Sequence, residues 1–355
     1  MSNTDRDDYL WDGSGEPDPE VQRLERLLTQ FRHEPRDAAF QAITPVSRRH
    51  RRFLAIARGF WPRFAVAAAL AVAVIVTIRF SRKPTMPTPA AWTVNGLAGS
   101  PRIGNASVQQ SKTASLTAGQ SLETDAQSRA EIHAESLGEI DVEPNTRLRV
   151  LNTRNGLKHA ALDRGTIEAY IWASPGEFVV DTPAATTVDL GCAYTLHVDP
   201  SGNGSVKTMM GWVGFARNGR ESFIPAGAMC STRPRIGPGT PFFEDAPDPL
   251  RSALERFDFD DQTDAQRAAD LAIALRVARP RDAMTVWHLL SRVPVDQRSA
   301  VYERLQQLAP SPVGVTQDGI LHLDRPMLDA WWNSLGFDNI AVWRRFERTW
   351  PNEIR

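Results

Sequence analysis

Cysteine is scarce: Cys192 and Cys230 are the only two in 355 residues. Two thiols are too few for a disulfide scaffold or for a zinc site built on thiolates, and they allow at most one bridge. An excess of charge of either sign is also missing. The 41 Lys and Arg residues against 42 Asp and Glu leave a net charge of -1, which argues against a generically basic nucleic-acid binder. No Gly-x-x-x-x-Gly-Lys phosphate loop, Gly-x-Ser-x-Gly elbow or His-Glu-x-x-His pair occurs. The seven histidines are scattered, with His33 and His50 early, His133, His159 and His197 in the middle, and His288 and His322 late. Asp260, Asp261 and Asp264 lack the glycine and terminal Glu of a calcium loop and read as a solvated helix start. These absences remove the common routes to catalysis, so no catalytic residue, metal or cofactor is expected, and the function is expected to be binding.

What remains is 42% hydrophobic and 23% charged, the balance of ordinary globular domains. Prolines, 25 against 23 glycines, cluster at seams between modules. The apolar run Phe64 to Ile78 carries no charge, and with Phe60, Trp61 and Phe80 it approaches the roughly 20 residues that cross a bilayer. A single transmembrane helix is expected over 59–80. Arg48, Arg49, Arg51, Arg52, Arg58 and Arg63 precede it, whereas only Arg79, Arg82 and Lys83 follow before a Pro-rich linker at 81–93. That bias puts the N-terminus in the cytoplasm and the rest outside.

The arm, 1–58, starts a helix at Asp18-Pro19, and Val21, Leu24, Leu27, Leu28 and Phe31 share one face of it. So short a segment has little of its own chain to cover that stripe, so Leu24, Leu27, Leu28 and Phe31, together with Trp11, are candidate partner-binding residues. Folding back of Tyr9, Leu10 and Trp11 onto the stripe is the competing use of it.

Beyond the linker the periodicity becomes two. Val188, Leu190, Cys192, Tyr194, Leu196 and Val198 alternate strictly, and shorter alternations at Ala130-Ile132-Ala134, Ile140-Val142, Ile167-Ala169-Ile171 and Phe178-Val180 are separated by turn signals. An all-β domain is expected over 94–232, as a sandwich, barrel or solenoid. From about Leu116 to Gly227 the chain resembles the FecR domain, the extracytoplasmic module of single-pass bacterial membrane regulators. The resemblance rests on Gly119-Gln120-Ser121-Leu122, Ser128-Arg129-Ala130, Gly138-Glu139-Ile140 and Pro144-Asn145-Thr146. It continues through Phe178 to Pro183, Leu190-Gly191 with Tyr194 and Leu196, Gly211-Trp212-Val213 and Ile224-Pro225-Ala226-Gly227. It implies an envelope signal passed to the cytoplasmic arm, which controls an extracytoplasmic-function sigma factor in the manner of an anti-sigma factor. The chain departs from the family at Cys192, where Thr is usual, and in an arm with only Trp11, so iron regulation is not implied. The alternative from another class is an envelope adhesion or structural module holding polysaccharide, peptidoglycan or protein, with an arm that merely anchors.

A Pro- and Gly-rich stretch, 233–248, reads as a second linker, and 249–355 as an α-helical domain. Helices are expected over Thr263 to Ala278, Arg281 to Arg292, and from Val295 to before Pro310. Trp331, Trp332, Trp343 and Trp350 are expected in its core. Since both cysteines fall in or beside the β domain, which the topology places in an oxidising compartment, a Cys192–Cys230 disulfide is expected.

Overall fold

The computed structural model describes residues 91–349, apart from 135–136, 154–156, 218 and 338. Its first part is β1 (Trp92–Ala98), β2 (Arg102–Ile103), β3 (Ala106–Ser107), β4 (Thr113–Leu116), β5 (Ser121–Glu123), β6 (Arg129–Ala134), β7 (Gly138–Val142), β8 (Arg147–Asn152) and β9 (Lys158–Ile171). Then come β10 (Phe178–Asp181), β11 (Thr186–Asp189), β12 (Ala193–Val198), β13 (Gly204–Met210), β14 (Trp212–Arg217), β15 (Arg220–Pro225), β16 (Ala228–Arg233), β17 (Gly237–Pro238) and β18 (Phe242–Phe243). One sheet runs β4-β1-β6-β7-β9-β12-β13-β16, with β17 and β18 beyond β16. The second runs β3-β2-β5-β8-β9-β10-β11-β14-β15.

Strand β9 belongs to both sheets. Residues up to Arg164 pair with β8, and Gly165 onward pairs with β12. The bend falls at Gly165, whose φ of 96° suits glycine and where a Cβ would lie 2.2 Å from the Thr146 hydroxyl. Between the sheets lies a continuous core. On the inner face of the first sheet Ala130, Val142, Ile167, Leu196, Val206 and Cys230 are successive register partners across β6, β7, β9, β12, β13 and β16, and all are buried.

The alternation of 188–198 is real in burial but is not one strand. Val188 lies on β11 in the second sheet, the chain turns at Leu190 to Cys192, and Tyr194 to Val198 run on β12 in the first. Inward-facing residues keep a spacing of two across this corner because both sheets bury the same side of the chain.

The helices are α1 (Asp248–Phe259), α2 (Asp264–Val277), α3 (Ala283–Leu290), α4 (Arg298–Leu308), α5 (Gln317–Leu321), α6 (Arg325–Ser334) and α7 (Ala341–Thr349). The start of α2 is written locally. The Thr263 hydroxyl accepts the Gln266 backbone N–H at 3.3 Å, and the Gln266 side chain accepts the Thr263 N–H at 3.0 Å, a reciprocal cap that satisfies two backbone donors.

These helices seal an edge of the sandwich. The outer edge of β15 would otherwise offer unpaired backbone groups. There the Phe223 N–H donates to His288 Nε2 at 3.0 Å, the Glu221 carbonyl accepts from Arg292 at 3.0 Å, and Pro225 has no N–H to satisfy. His288 carries its proton on Nδ1, which donates to the Met284 carbonyl at 2.8 Å, and burial holds its pKa well below the ordinary histidine range. Arg292 also meets the Ser222 hydroxyl at 2.6 Å and the buried carboxylate of Asp258, and burial lowers its pKa to about 10. Above β14, Gly214 leaves the space that the Trp343 ring fills: a Cβ there would sit 1.8 Å from the ring. Trp331, Trp332 and Trp343 are buried, as expected of core aromatics, and Trp350 lies outside the described residues.

Three expectations change. Among the described residues no helix is long and apolar enough to cross a membrane, so their architecture is corrected to a β-sandwich covered by C-terminal helices, and no transmembrane helix is shown. The expected span, 59–80, and the arm lie outside the described residues. The expected disulfide is also corrected, because Cys192 and Cys230 are both free thiols. Cys230 shares a register row with Leu196 two strands away, and Cys192 lies four residues before Leu196. Strand spacings put the two roughly 15 Å apart, beyond the ~7 Å Cα separation that a bridge spans. Finally, the stretch 233–248, expected as a linker, holds β17 and β18 against β16, and one hydrophobic core runs from Trp92 to Trp343 through both sandwich and helices.

Candidate functional site

The helices cover the second sheet at β14 and β15, whereas the first sheet turns an open face outward. Its outward positions are the polar phase of each alternating strand. Register partners there are Asn95, Glu131, Asp141, Glu168, Thr195 and Lys207, on β1, β6, β7, β9, β12 and β13. Three carboxylates therefore stand on adjacent strands, at a spacing of about 5 Å where like charges destabilise a sheet. Glu131 accepts a 2.9 Å bond from the Asn95 amide, and Tyr170 donates to Glu168 at 3.4 Å. None of the three has an ion-pair partner among the described residues; Lys207 pairs instead with Glu244 at 2.8 Å. Partial burial, and then the charges of Glu131 and Glu168, raise the pKa of Asp141.

The next register row is Thr93, His133, Glu139, Tyr170, Ala193 and Met210. It brings an apolar ridge against the acidic strip: Tyr170 and Met209 are partly open, Trp172 is 57% exposed and Met210 68% exposed. The Trp172 ring lies 6.4 Å from that of His133, whose Nδ1 is 3.5 Å from Glu139, and the Trp172 backbone N–H is held by the Leu137 carbonyl at 3.1 Å. Large apolar side chains beside uncompensated charge are costly to leave in water and fit a surface that is covered by something else. Among the described residues, no group of three or more His, Cys, Asp or Glu side chains is placed to hold a metal.

The residues expected from the arm, Trp11, Leu24, Leu27, Leu28 and Phe31, lie outside the described residues. Cys192 and Cys230 are buried in the core, away from this face. Sequence reasoning missed the face itself. Its only linear signal is acid at the outward phase of three strands, in Ala130-Glu131-Ile132, Ile140-Asp141-Val142 and Ile167-Glu168-Ala169.

No family model matches the chain, and no curated protein does. Two crystal structures from Parabacteroides distasonis, each of a "putative anti-sigma factor", are similar to it at 13% identity, with TM-scores of 0.31 and 0.32. The matches cover 38% of this chain and 63% and 62% of those, so less than two thirds of the neighbours' length is spanned. So distant a likeness carries no argument about function.

Proposed function

We propose that this protein is a regulator that acts by binding and relay, without turnover. The open face of the first sheet receives a partner segment that is basic and carries apolar anchors. Residues 1–45 engage a second partner, of the extracytoplasmic-function sigma-factor type. One observation carries the first half: Glu131, Asp141 and Glu168 stand in register without cations of their own, beside Tyr170, Trp172, Met209 and Met210. A cationic, apolar-anchored segment relieves the repulsion and covers the ridge together. The second half rests on the stripe Leu24, Leu27, Leu28 and Phe31 and on the FecR resemblance.

The full chain is to be titrated calorimetrically with a synthetic peptide of alternating Arg and Leu, with its Glu-for-Arg counterpart, and with a soluble polysaccharide. The reading expects the Arg peptide alone to bind, more weakly in high salt, and Glu168→Lys with Met210→Asp to abolish binding. Equal binding of both peptides, or binding of the polysaccharide alone, overturns it, and the latter restores the adhesion alternative. For the arm, co-expression with an extracytoplasmic-function sigma factor from the same genome should change transcription from that factor's promoter. Leu27→Asp with Leu28→Asp should remove the change.

A further inference from the structure

Where the helices meet the edge of the sandwich there is a cavity of about 450 Å³, of the size that holds small molecules. Its polar side is unusually one-signed. Arg220, Arg292, Arg325 and Arg344 line it, against Glu221 as the one lining carboxylate. Glu221 is engaged at both oxygens: it accepts the Trp343 indole N–H at 2.9 Å and Arg344 at 2.8 Å, and Arg325 stands 3.6 Å away. The remaining counter-charges stand off the cavity wall, with Asp258 on Arg220 and Arg292, Asp329 on Arg344, and Glu347 on Arg325 and Arg344. Part of this charge stays accessible: the Arg220 side chain is 27% exposed and that of Arg325, at the rim, 53%. The opposite wall is apolar, made of Phe223, Trp287, Leu323 and Leu328, and the Trp287 N–H is already used on the Leu328 carbonyl at 3.1 Å.

A site with guanidinium forks on one wall and aromatic and aliphatic surface on the other selects charge and shape together. We infer that this cavity binds a small amphiphilic anion, a carboxylate or phosphate group on a compact apolar body. The head meets the guanidiniums and the body lies against Phe223, Trp287 and Leu328. Because β15, α3, α6 and α7 all contribute lining residues, such a ligand ties the helices to the sandwich and stabilises the fold by linkage. This inference does not depend on the open face of the first sheet.

Isothermal titration of the full chain with phenyl phosphate and with benzoate tests it, with inorganic phosphate as the head alone and benzylamine as the cationic control. Phenyl phosphate, benzoate or both should bind once per chain and raise the melting temperature, inorganic phosphate should bind at least about tenfold more weakly, and benzylamine should not bind. Arg325→Gln, at the exposed rim, should weaken binding by about tenfold. Ser291→Trp, at an exposed lining position, should fill the cavity and abolish binding whether or not Arg325→Gln folds. Absence of saturable binding by both anions, binding of benzylamine as tight as that of the anions, or binding unaffected by Ser291→Trp overturns the inference.

Discussion

Asp189 offers the sharpest test of how this fold is held, because it is a carboxyl group 1% exposed at the corner where β11 leaves the second sheet. Its Oδ1 accepts the Gly191 N–H at 2.8 Å and its Oδ2 accepts the Cys192 thiol at 2.6 Å. Burial outweighs those bonds and raises its pKa from 3.8 to about 7. In the unfolded chain the group ionises near its ordinary value, so between about pH 4 and pH 7 the native state holds a proton that the unfolded state has released. Stability from this group is therefore complete below about pH 4, falls as pH rises towards 7, and is level above that. A shift of about three units corresponds to at most about 4 kcal/mol. Asp189→Asn keeps the shape, still accepts the Gly191 N–H and cannot ionise. Urea unfolding of both proteins at pH 5, 6, 7 and 8 should show the wild type losing stability relative to the variant across that range, by a few kcal/mol in all. Groups common to both proteins, His288 among them, cancel in the difference. Parallel pH dependences would refute the claim that Asp189 is buried at the cost of its charge.

Cys192 and Cys230 are buried, and burial raises both thiol pKa values, that of Cys230 to about 12. Native protein should therefore resist alkylation at pH 8, and protein denatured without reductant should take up two labels; a mass showing a bridge would contradict the separation of the two strands. Gly214→Ala should displace the Trp343 ring and cost about 1–3 kcal/mol in denaturant unfolding, whereas an unchanged midpoint would mean that α7 is not seated on β14. Asp141→Asn should stabilise the protein near neutral pH by up to about 1 kcal/mol by relieving the repulsion from Glu131 and Glu168; calorimetric melting with and without 0.5 M salt should show the gain shrinking as salt screens the wild type. A chain ending at residue 247 loses the His288 and Arg292 partners of β15 and uncovers Phe223, so it should lose its sharp unfolding transition. A retained transition would show that the sandwich folds independently, as the Pro- and Gly-rich stretch 233–248 had suggested.

Local chemistry was enough for the sequence to determine the elements. The alternations at Ala130-Ile132-Ala134, Ile140-Val142 and Ile167-Ala169-Ile171 became β6, β7 and the end of β9, because one-sided burial of a strand imposes a spacing of two whatever it pairs with. The apolar residues between Thr263 and Ala278 placed α2 within a residue at each end, because a helix satisfies its own backbone groups. Tertiary structure decided everything that depends on which strand lies beside which. The row 188–198 has the pattern of one strand, yet it turns a corner, since inward burial looks the same on both sides of the turn. Cys192 and Cys230 have the right residue type for a bridge, and register holds them apart. Glu131, Asp141 and Glu168 are three unremarked polar positions in sequence and one acidic strip in space, and the arginines of the cavity come from β15, the turn after α3, α6 and α7, spread over more than a hundred residues. Period and capping are properties of a few neighbouring residues, so they can be read from the chain alone. Register and packing are settled by the burial of a core shared by distant segments, and it is there that both candidate sites were assembled.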